Sequence, residues 1–282
     1  MRIVVKYALL LIAYSLAFVL PAILLPVSAP LQESGNNMAL GLPAVLAVNF
    51  LIILYLIHRS ASHGIKLCFY TMLIFWGLQT GMTQIETWYF RHAMPGIDDR
   101  ELLNLFIRPL ITLVIFVPMA VRATGKWKGT HEPRPQMVAP WKSIGILVLL
   151  YVVIYFVFGY YVAWQFDALR IFYSGSATKA GFIEVLRHTA ETTPGLFPLQ
   201  LLRGLLYAMM GVMLLRQLNG SYSEKLIAIT LLYALLPSIL LILSNPFMPP
   251  DVRMGHLIEL TISNGLFGSL IGVAGVRQQL IQ

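Results

Sequence analysis

The chain reads as a series of long apolar runs separated by short polar breaks. Windows of about 18 or more mostly apolar residues are long enough to cross a bilayer as a helix. They recur at roughly 4–26, 39–57, 65–90, 101–121, 141–164, 196–215, 224–244 and 254–276. Eight such windows predict an all-α, polytopic transmembrane helical bundle. They leave no stretch for a second soluble domain, so residues 1–282 read as a single integral membrane domain. Breaks at 27–38 and 245–253 are rich in Pro, Asn and Ser, as turns are. Two breaks are longer. Residues 122–140 are basic and interrupted by proline, whereas 165–195 has an internal pattern of its own. There Phe182, Ile183, Val185 and Leu186 alternate with Glu184, His188 and Glu191, which predicts a short interfacial helix over the outer mouth.

Composition agrees with this pattern: 58% of residues are hydrophobic, 11% are charged, and the mean hydropathy is +0.75. The net charge of +8 does not imply nucleic acid, because the basic excess lies in short loops on one side. With the N-terminus inside, the inner segments hold Arg2, Lys6, Arg59, Lys66, Arg122, Lys126, Lys128, Arg134, Lys142, Arg216, Lys225 and Arg277. The outer segments hold only Arg91, Arg100, Arg170, Lys179, Arg187 and Arg253. This asymmetry predicts an N-in, C-in topology, with a bacterial cytoplasmic membrane as the default location and lipids as the constant partner. Residues 1–29 end on Val27-Ser28-Ala29 like a signal peptide, but the apolar run is long and Pro30 would follow the cut; the segment reads as a retained first span. The single cysteine, Cys68, excludes intramolecular disulfides and cysteine metal sites.

Against this background the ionisable residues inside the apolar windows are the candidate chemistry, since a charge in hydrocarbon is costly unless paired or hydrated. They are Glu86, Arg108, Arg203 and Glu259, with His256 one turn from Glu259, and the topology puts all of them in the outer third of their helices. Helical phase joins each to a polar stripe: Gln79, Thr83 and Glu86; Glu101, Asn104, Arg108 and Thr112; Gln200, Arg203 and Tyr207; His256, Glu259 and Ser263. Four stripes at one depth predict one polar, nearly charge-balanced pocket opening to the outer face. In it Glu86, His256 and Glu259 are the candidate acids and bases. Arg108, Arg203, Gln79, Gln200, Tyr207 and Asn104 are the candidate ligand-binding groups, because guanidinium suits phosphate or carboxylate.

Further patterns qualify the picture. His188/Glu191 and His256/Glu259 are both His-x-x-Glu pairs, a spacing that offers two ligands to one divalent metal. Two arginines at the same depth oppose a cation, and ion pairs explain the acids equally well. Gly265, Gly268, Gly272 and Gly275 line the last window opposite its polar stripe, which predicts close helix packing and a possible homo- or hetero-oligomer contact. Pro109, Pro118 and Pro237 free carbonyls inside their windows. The Ser176-x-x-Lys179 spacing lacks companion motifs and reads as chance, and no motif is specific enough to assign a family. Three functions are compatible: an outer-face site that binds or processes a lipid-linked or small anionic ligand, a non-catalytic subunit or assembly factor with structural buried charges, and a secondary transporter. The last is disfavoured by inner halves that offer only groups such as Asn49, Tyr70 and Thr71.

Overall fold

In a computed structural model the apolar windows fold as helices; residues 2–26, 37–94, 96–129 and 141–277 are described. The candidate cleavage site at Val27-Ser28-Ala29, most of the outer break 27–38 and residues 130–140 of the basic inner loop lie outside the described residues. Everything described is helical or connecting, apart from one isolated bridge between Ser60 and Leu218. Six of the helices, Ile3–Leu24, Gly41–Arg59, Asp99–Ala123, Trp141–Gln165, Leu196–Gln217 and Pro250–Gly275, are long and apolar enough to cross a membrane. That is the signature of an integral membrane protein.

The other two windows are helical but interrupted. Residues 64–90 form α3 (Gly64–Trp76), a π-helical turn (Gly77–Gly81) and α4 (Met82–Phe90). The 224–244 window gives α-helix only over Tyr222–Leu235, followed by a turn and a 3-10 segment, Ile239–Ile242. Pro237 explains this break: it lacks an N–H and clashes with the carbonyl four residues back. Pro109 and Pro118, by contrast, lie inside a helix that runs unbroken over Asp99–Ala123.

The chain forms two compact units. The first comprises Met1–Pro135 with Gln217–Gly220 and Ile242–Phe247. It contains α1 (Arg2–Leu24), α2 (Asn37–Arg59), α3, α4 and α5 (Asp99–Ala123). Tyr14, Phe50 and Phe116, from α1, α2 and α5, meet at its centre; Tyr14 and Phe116 pack edge to face at 5.0 Å. Lys126 donates to the Ser60 carbonyl at 3.1 Å, and Ser62 donates to the Gln217 side chain at 2.6 Å, which ties the loop ends together. Asp98 caps α5 by accepting from the Glu101 amide at 2.7 Å.

The second unit comprises Gln136–Arg216, Ser221–Leu241 and Met248–Gln282. It contains α6 (Trp141–Tyr161), α7 (Asp167–Ser174), α8 (Phe182–Thr192), α9 (Leu196–Gln217), α10 (Tyr222–Leu235) and α11 (Pro250–Arg277). The short helix expected within residues 165–195 is present as α8, and α7 is a second one before it. A buried aromatic cluster of Tyr151, Tyr207, Tyr233 and Phe267 joins α6, α9, α10 and α11. The glycine stripe of α11 packs on α10. A Cβ at Gly268 would stand 2.7 Å from Tyr233 Cβ and 2.8 Å from the Ile229 carbonyl oxygen, and at Gly265 3.2 Å from Ala234 Cβ. With the backbones this close, Thr230 and Ser269 hydroxyls hydrogen bond across the seam at 2.9 Å.

Gly268→Ala should therefore destabilise the fold by ~1–3 kcal/mol, the usual cost of overpacking. Gly145→Ala, where a Cβ meets nothing within 4 Å, should change stability by less than ~0.5 kcal/mol. Unfolding titrations in mixed micelles would compare them, and equal losses would refute the seam as the close-packed element.

Candidate functional site

The predicted site residues fall into two groups, one in each unit. In the first unit the α5 stripe faces α1. Arg108 Nε donates to the Leu25 carbonyl at 2.8 Å, Thr112 donates to the Ala17 carbonyl at 3.1 Å, and Arg108 Nη1 pairs with Glu101 Oε1 at 3.0 Å. Glu101 is 2% exposed and Arg108 14%, so this pair is shielded from water. Among the described residues Arg108 Nη2 and Glu101 Oε2 meet no hydrogen-bonding partner, so the pair is one-pronged rather than a bidentate fork. Asn104 is half-buried on the same helix.

Gln79 sits in the π turn, where every residue is buried, and donates to Asn49 Oδ1 of α2 at 2.9 Å. Thr83 follows and donates to the carbonyls of both Gln79 and Thr80. The π turn widens the helix between Gln79 and Glu86, so a phase extrapolated along a regular helix shifts within this stripe. Glu86 lies half-buried on α4.

In the second unit Gln200, Arg203 and Tyr207 are all buried on α9. Arg203 Nη1 donates to Gln200 Oε1 at 2.8 Å, and its guanidinium lies 5.9 Å from the centroids of both Tyr151 and Tyr155, a cation–π arrangement. Tyr207 contacts Phe267, and Gly211 abuts Ile271. Both contacts share one offset in numbering, so α9 and α11 run in the same direction.

The α11 stripe extends into a connected chain of polar groups. Ser263 donates to Glu259 Oε1 at 3.3 Å, Glu259 Oε2 lies 3.6 Å from His256 Nδ1, and His256 Nε2 hydrogen bonds the Tyr173 hydroxyl at 3.0 Å. Glu259 is 7% exposed and His256 21%, so the chain runs from buried carboxylate to accessible ring. Tyr173 also packs edge on against the imidazole, at 5.7 Å and 81°.

Sequence explains why Tyr173 can be there. Gly255 lacks a Cβ, which would lie 2.4 Å from Leu169 Cδ1, so α7 can press onto the start of α11. Leu169, Val252 and Ala163 form a small buried core there, with Phe166, Phe172 and Tyr173 packed around it. Arg170 is buried and donates to the carbonyls of Trp164 and Ala177 and to the Asp167 carboxylate, which fixes both flanks of α7. Gly175, with φ +73°, then ends the helix in the left-handed conformation.

His188 and Glu191 are exposed on α8. Among the described residues no group of three or more His, Cys, Asp or Glu gathers to hold a metal ion. Lys179 of the Ser176-x-x-Lys179 spacing turns to the Gln165 side chain, while Ser176 bonds Thr178. The groups that sequence reading passes over are Tyr173, Arg170 and the Asn49 partner of Gln79. Tyr173 and His256 are 83 positions apart, and no local spacing signals their contact. Comparison with family models, with curated proteins and with solved structures returns no match.

Arg108→Gln should cost ~3–5 kcal/mol, because it leaves Glu101 buried without its cation. The double variant Glu101→Gln/Arg108→Gln should recover a large part of that loss. Thermal unfolding in detergent would measure both, and a near-neutral single variant would show that the pair is not holding α5.

Proposed function

We propose that the chain is a bacterial inner-membrane protein of eight spans, N-in and C-in, whose second unit carries an acid–base site at the outer face. Its ligand is a lipid-linked or small anionic molecule. The eight spans are the six long helices plus the interrupted segments 64–90 and 222–242, and the basic inner loops supply the orientation. By this topology α7 and α8 lie at the outer interface. Phe182 of α8 packs on Tyr160 and Tyr161 at the end of α6, in the manner of an interfacial aromatic belt.

The observation that carries the reading is the Tyr173–His256–Glu259 chain. A carboxylate beside Nδ1 favours the tautomer with its proton on that nitrogen. Nε2 is then a lone-pair acceptor for the tyrosine O–H, the same division of labour as in catalytic triads. A proton leaving Tyr173 goes to Nε2, and the imidazolium that forms is stabilised by Glu259, which Ser263 holds. The 3.6 Å separation is longer than a hydrogen bond and would tighten on proton transfer. Arg203, buried on α9 of the same unit, supplies a positive charge suited to an anionic ligand. Metal chemistry through His256 and Glu259, with His188 and Glu191, is the less supported form, since Tyr173 already engages the ring nitrogen that a metal would take.

A second reading, a non-catalytic subunit, is favoured by Arg108, whose guanidinium is already divided between the Leu25 carbonyl and Glu101. Under it the apolar helix faces would meet a partner protein, since the glycine stripe is already packed on α10.

The test is turnover by the purified protein in liposomes, offered a membrane lipid extract and phosphate or carboxylate esters, with products read by mass spectrometry. Tyr173→Phe, His256→Gln and Glu259→Gln should each lower turnover by ~10²–10⁴-fold, the usual contribution of acid–base groups, with little change in thermal stability. Loss of folded protein in all three, without turnover by the native chain, would favour the subunit reading.

A further inference from the structure

The end of the first unit that lies away from its carboxylates gathers basic side chains from three separate elements. Tyr7, near the start of α1, hydrogen bonds His58 Nε2, near the end of α2, at 2.9 Å. The Lys6 ammonium lies 5.1 Å from the centroid of the Tyr7 ring. Lys126, from the loop after α5, donates to the carbonyl of Ser60, two residues beyond His58, at 3.1 Å. The ammonium groups of Lys6 and Lys126 are both within electrostatic range of His58. Two cations thus converge on one imidazole.

Among the described residues of this unit the acids are Glu86, Asp98, Asp99 and Glu101, all in α4 or around the start of α5. The 25 residues of α5 carry the chain about 37 Å, at 1.5 Å per residue, from those acids to Lys126 just past its end. Basic residues that only fix topology need no more than a place near the membrane surface. Bringing them together costs repulsion, which a bound anion removes.

The donors suit a phosphate. The Lys126 ammonium has three N–H groups and uses one on Ser60. With Tyr7 donating to Nε2, the His58 ring carries its proton on Nδ1, which can donate to an anionic oxygen, and Lys6 adds a point charge. The surface beside the cluster is apolar. Val5, Leu9, Ile12 and Leu16 fall at i, i+4, i+7 and i+11 on one face of α1 and are 50–68% exposed. Leu51, also exposed, stands two turns from the exposed His58 on α2. A positive spot from which apolar helix surface runs into the membrane is complementary to an amphiphile with an anionic headgroup.

We propose that Lys6, His58 and Lys126 hold the phosphate of an anionic phospholipid whose acyl chains lie along the exposed faces of α1 and α2. The lipid comes from the leaflet at this end of the unit. The site shares no residue with the Tyr173–His256–Glu259 chain and lies in the other unit, so either reading can fail without the other.

Native mass spectrometry of the purified protein, titrated with dioleoyl phosphatidylglycerol in micelles, tests this. Phosphatidylglycerol should bind several-fold more tightly than phosphatidylcholine, whose choline cancels the phosphate charge. Lys6→Gln/Lys126→Gln should weaken binding of the first phosphatidylglycerol by ~30-fold, at ~5-fold for each lysine. Lys66→Gln/Lys128→Gln removes the same charge from exposed positions and should cost far less. Equal binding of the two lipids, or equal losses in the two double variants, would overturn the site. If Lys126→Gln disturbs folding through its Ser60 contact, Lys6→Gln alone should still cost ~5-fold, and unchanged binding there would count against the proposal. Glycerol phosphate at the concentration of the lipid should not displace it; displacement would identify a soluble phosphate ligand and overturn the lipid assignment. A photoreactive group on the acyl chain should label α1 near Leu9 and Ile12, and labelling confined to other helices would place the lipid elsewhere.

Discussion

Inside a bilayer no solvent satisfies a polar group, so each buried donor or acceptor must find its partner within the protein. This constraint organises both units more than any apolar contact does. Apolar packing is non-directional, and lipid tails compete for the same surfaces. Side chains that reach a backbone carbonyl on another helix have one position that works. Arg108 meets the Leu25 carbonyl at the end of α1, Trp76 donates to the Phe106 carbonyl of α5 at 3.0 Å, and Tyr233 donates to the Tyr207 carbonyl at 2.5 Å. Two of these ties sit at an irregularity, the end of α1 and the close approach at Gly211, while the Trp76 tie reaches the turn of α5 that precedes Pro109. Polar side chains thus serve as fasteners where the helices depart from ideal.

The helices themselves were legible because their signal is local. An apolar run of bilayer length is a helix almost regardless of its neighbours, and six of the eight windows fold as single long helices. Pro237 was visible as a possible interruption, and its carbonyl consequence at Tyr233 followed from proline geometry; that α-helix would stop at Leu235 did not. The glycine stripe predicted a close neighbour but could not name it, since α10 becomes that neighbour through the chain's return. The π turn left still less trace. Gly77 and Gly81 bracket it, yet the same pair is compatible with a regular helix, and the Gln79–Asn49 hydrogen bond that accompanies the turn joins two helices that no local spacing relates.

The candidate site shows the same limit. Spacing placed Glu101 with Arg108 and His256 with Glu259, because an interval of three or seven residues returns to the same helix face. Both contacts are present, at 3.0 and 3.6 Å. Spacing could not supply Tyr173, which arrives from an amphipathic helix that only the Gly255 gap and the Arg170 clamp hold in place. Nor could it tell that Arg108 would spend one edge on the Leu25 carbonyl. A polar stripe gives the direction in which a group must find a partner, whereas the partner's identity is a property of the fold.

These two ionisable groupings also differ in what they can do. The Glu101–Arg108 pair is closed: both members are shielded, and a third contact belongs to the backbone. Removing either partner would leave the other buried without its counter-charge. The Glu259–His256–Tyr173 chain is open at one end, with a histidine that keeps 21% of its surface exposed and a half-buried tyrosine beyond it. In the proposed reading, a proton shifted along it from Tyr173 to His256 would leave the imidazolium next to a carboxylate, which would compensate the new charge where it forms. Acid–base work requires that asymmetry: a buried end that holds a fixed charge and an accessible end where a proton can be exchanged. By that criterion the proposed acid–base site lies on α7 and α11, whereas the Glu101–Arg108 pair ties α5 to its neighbours.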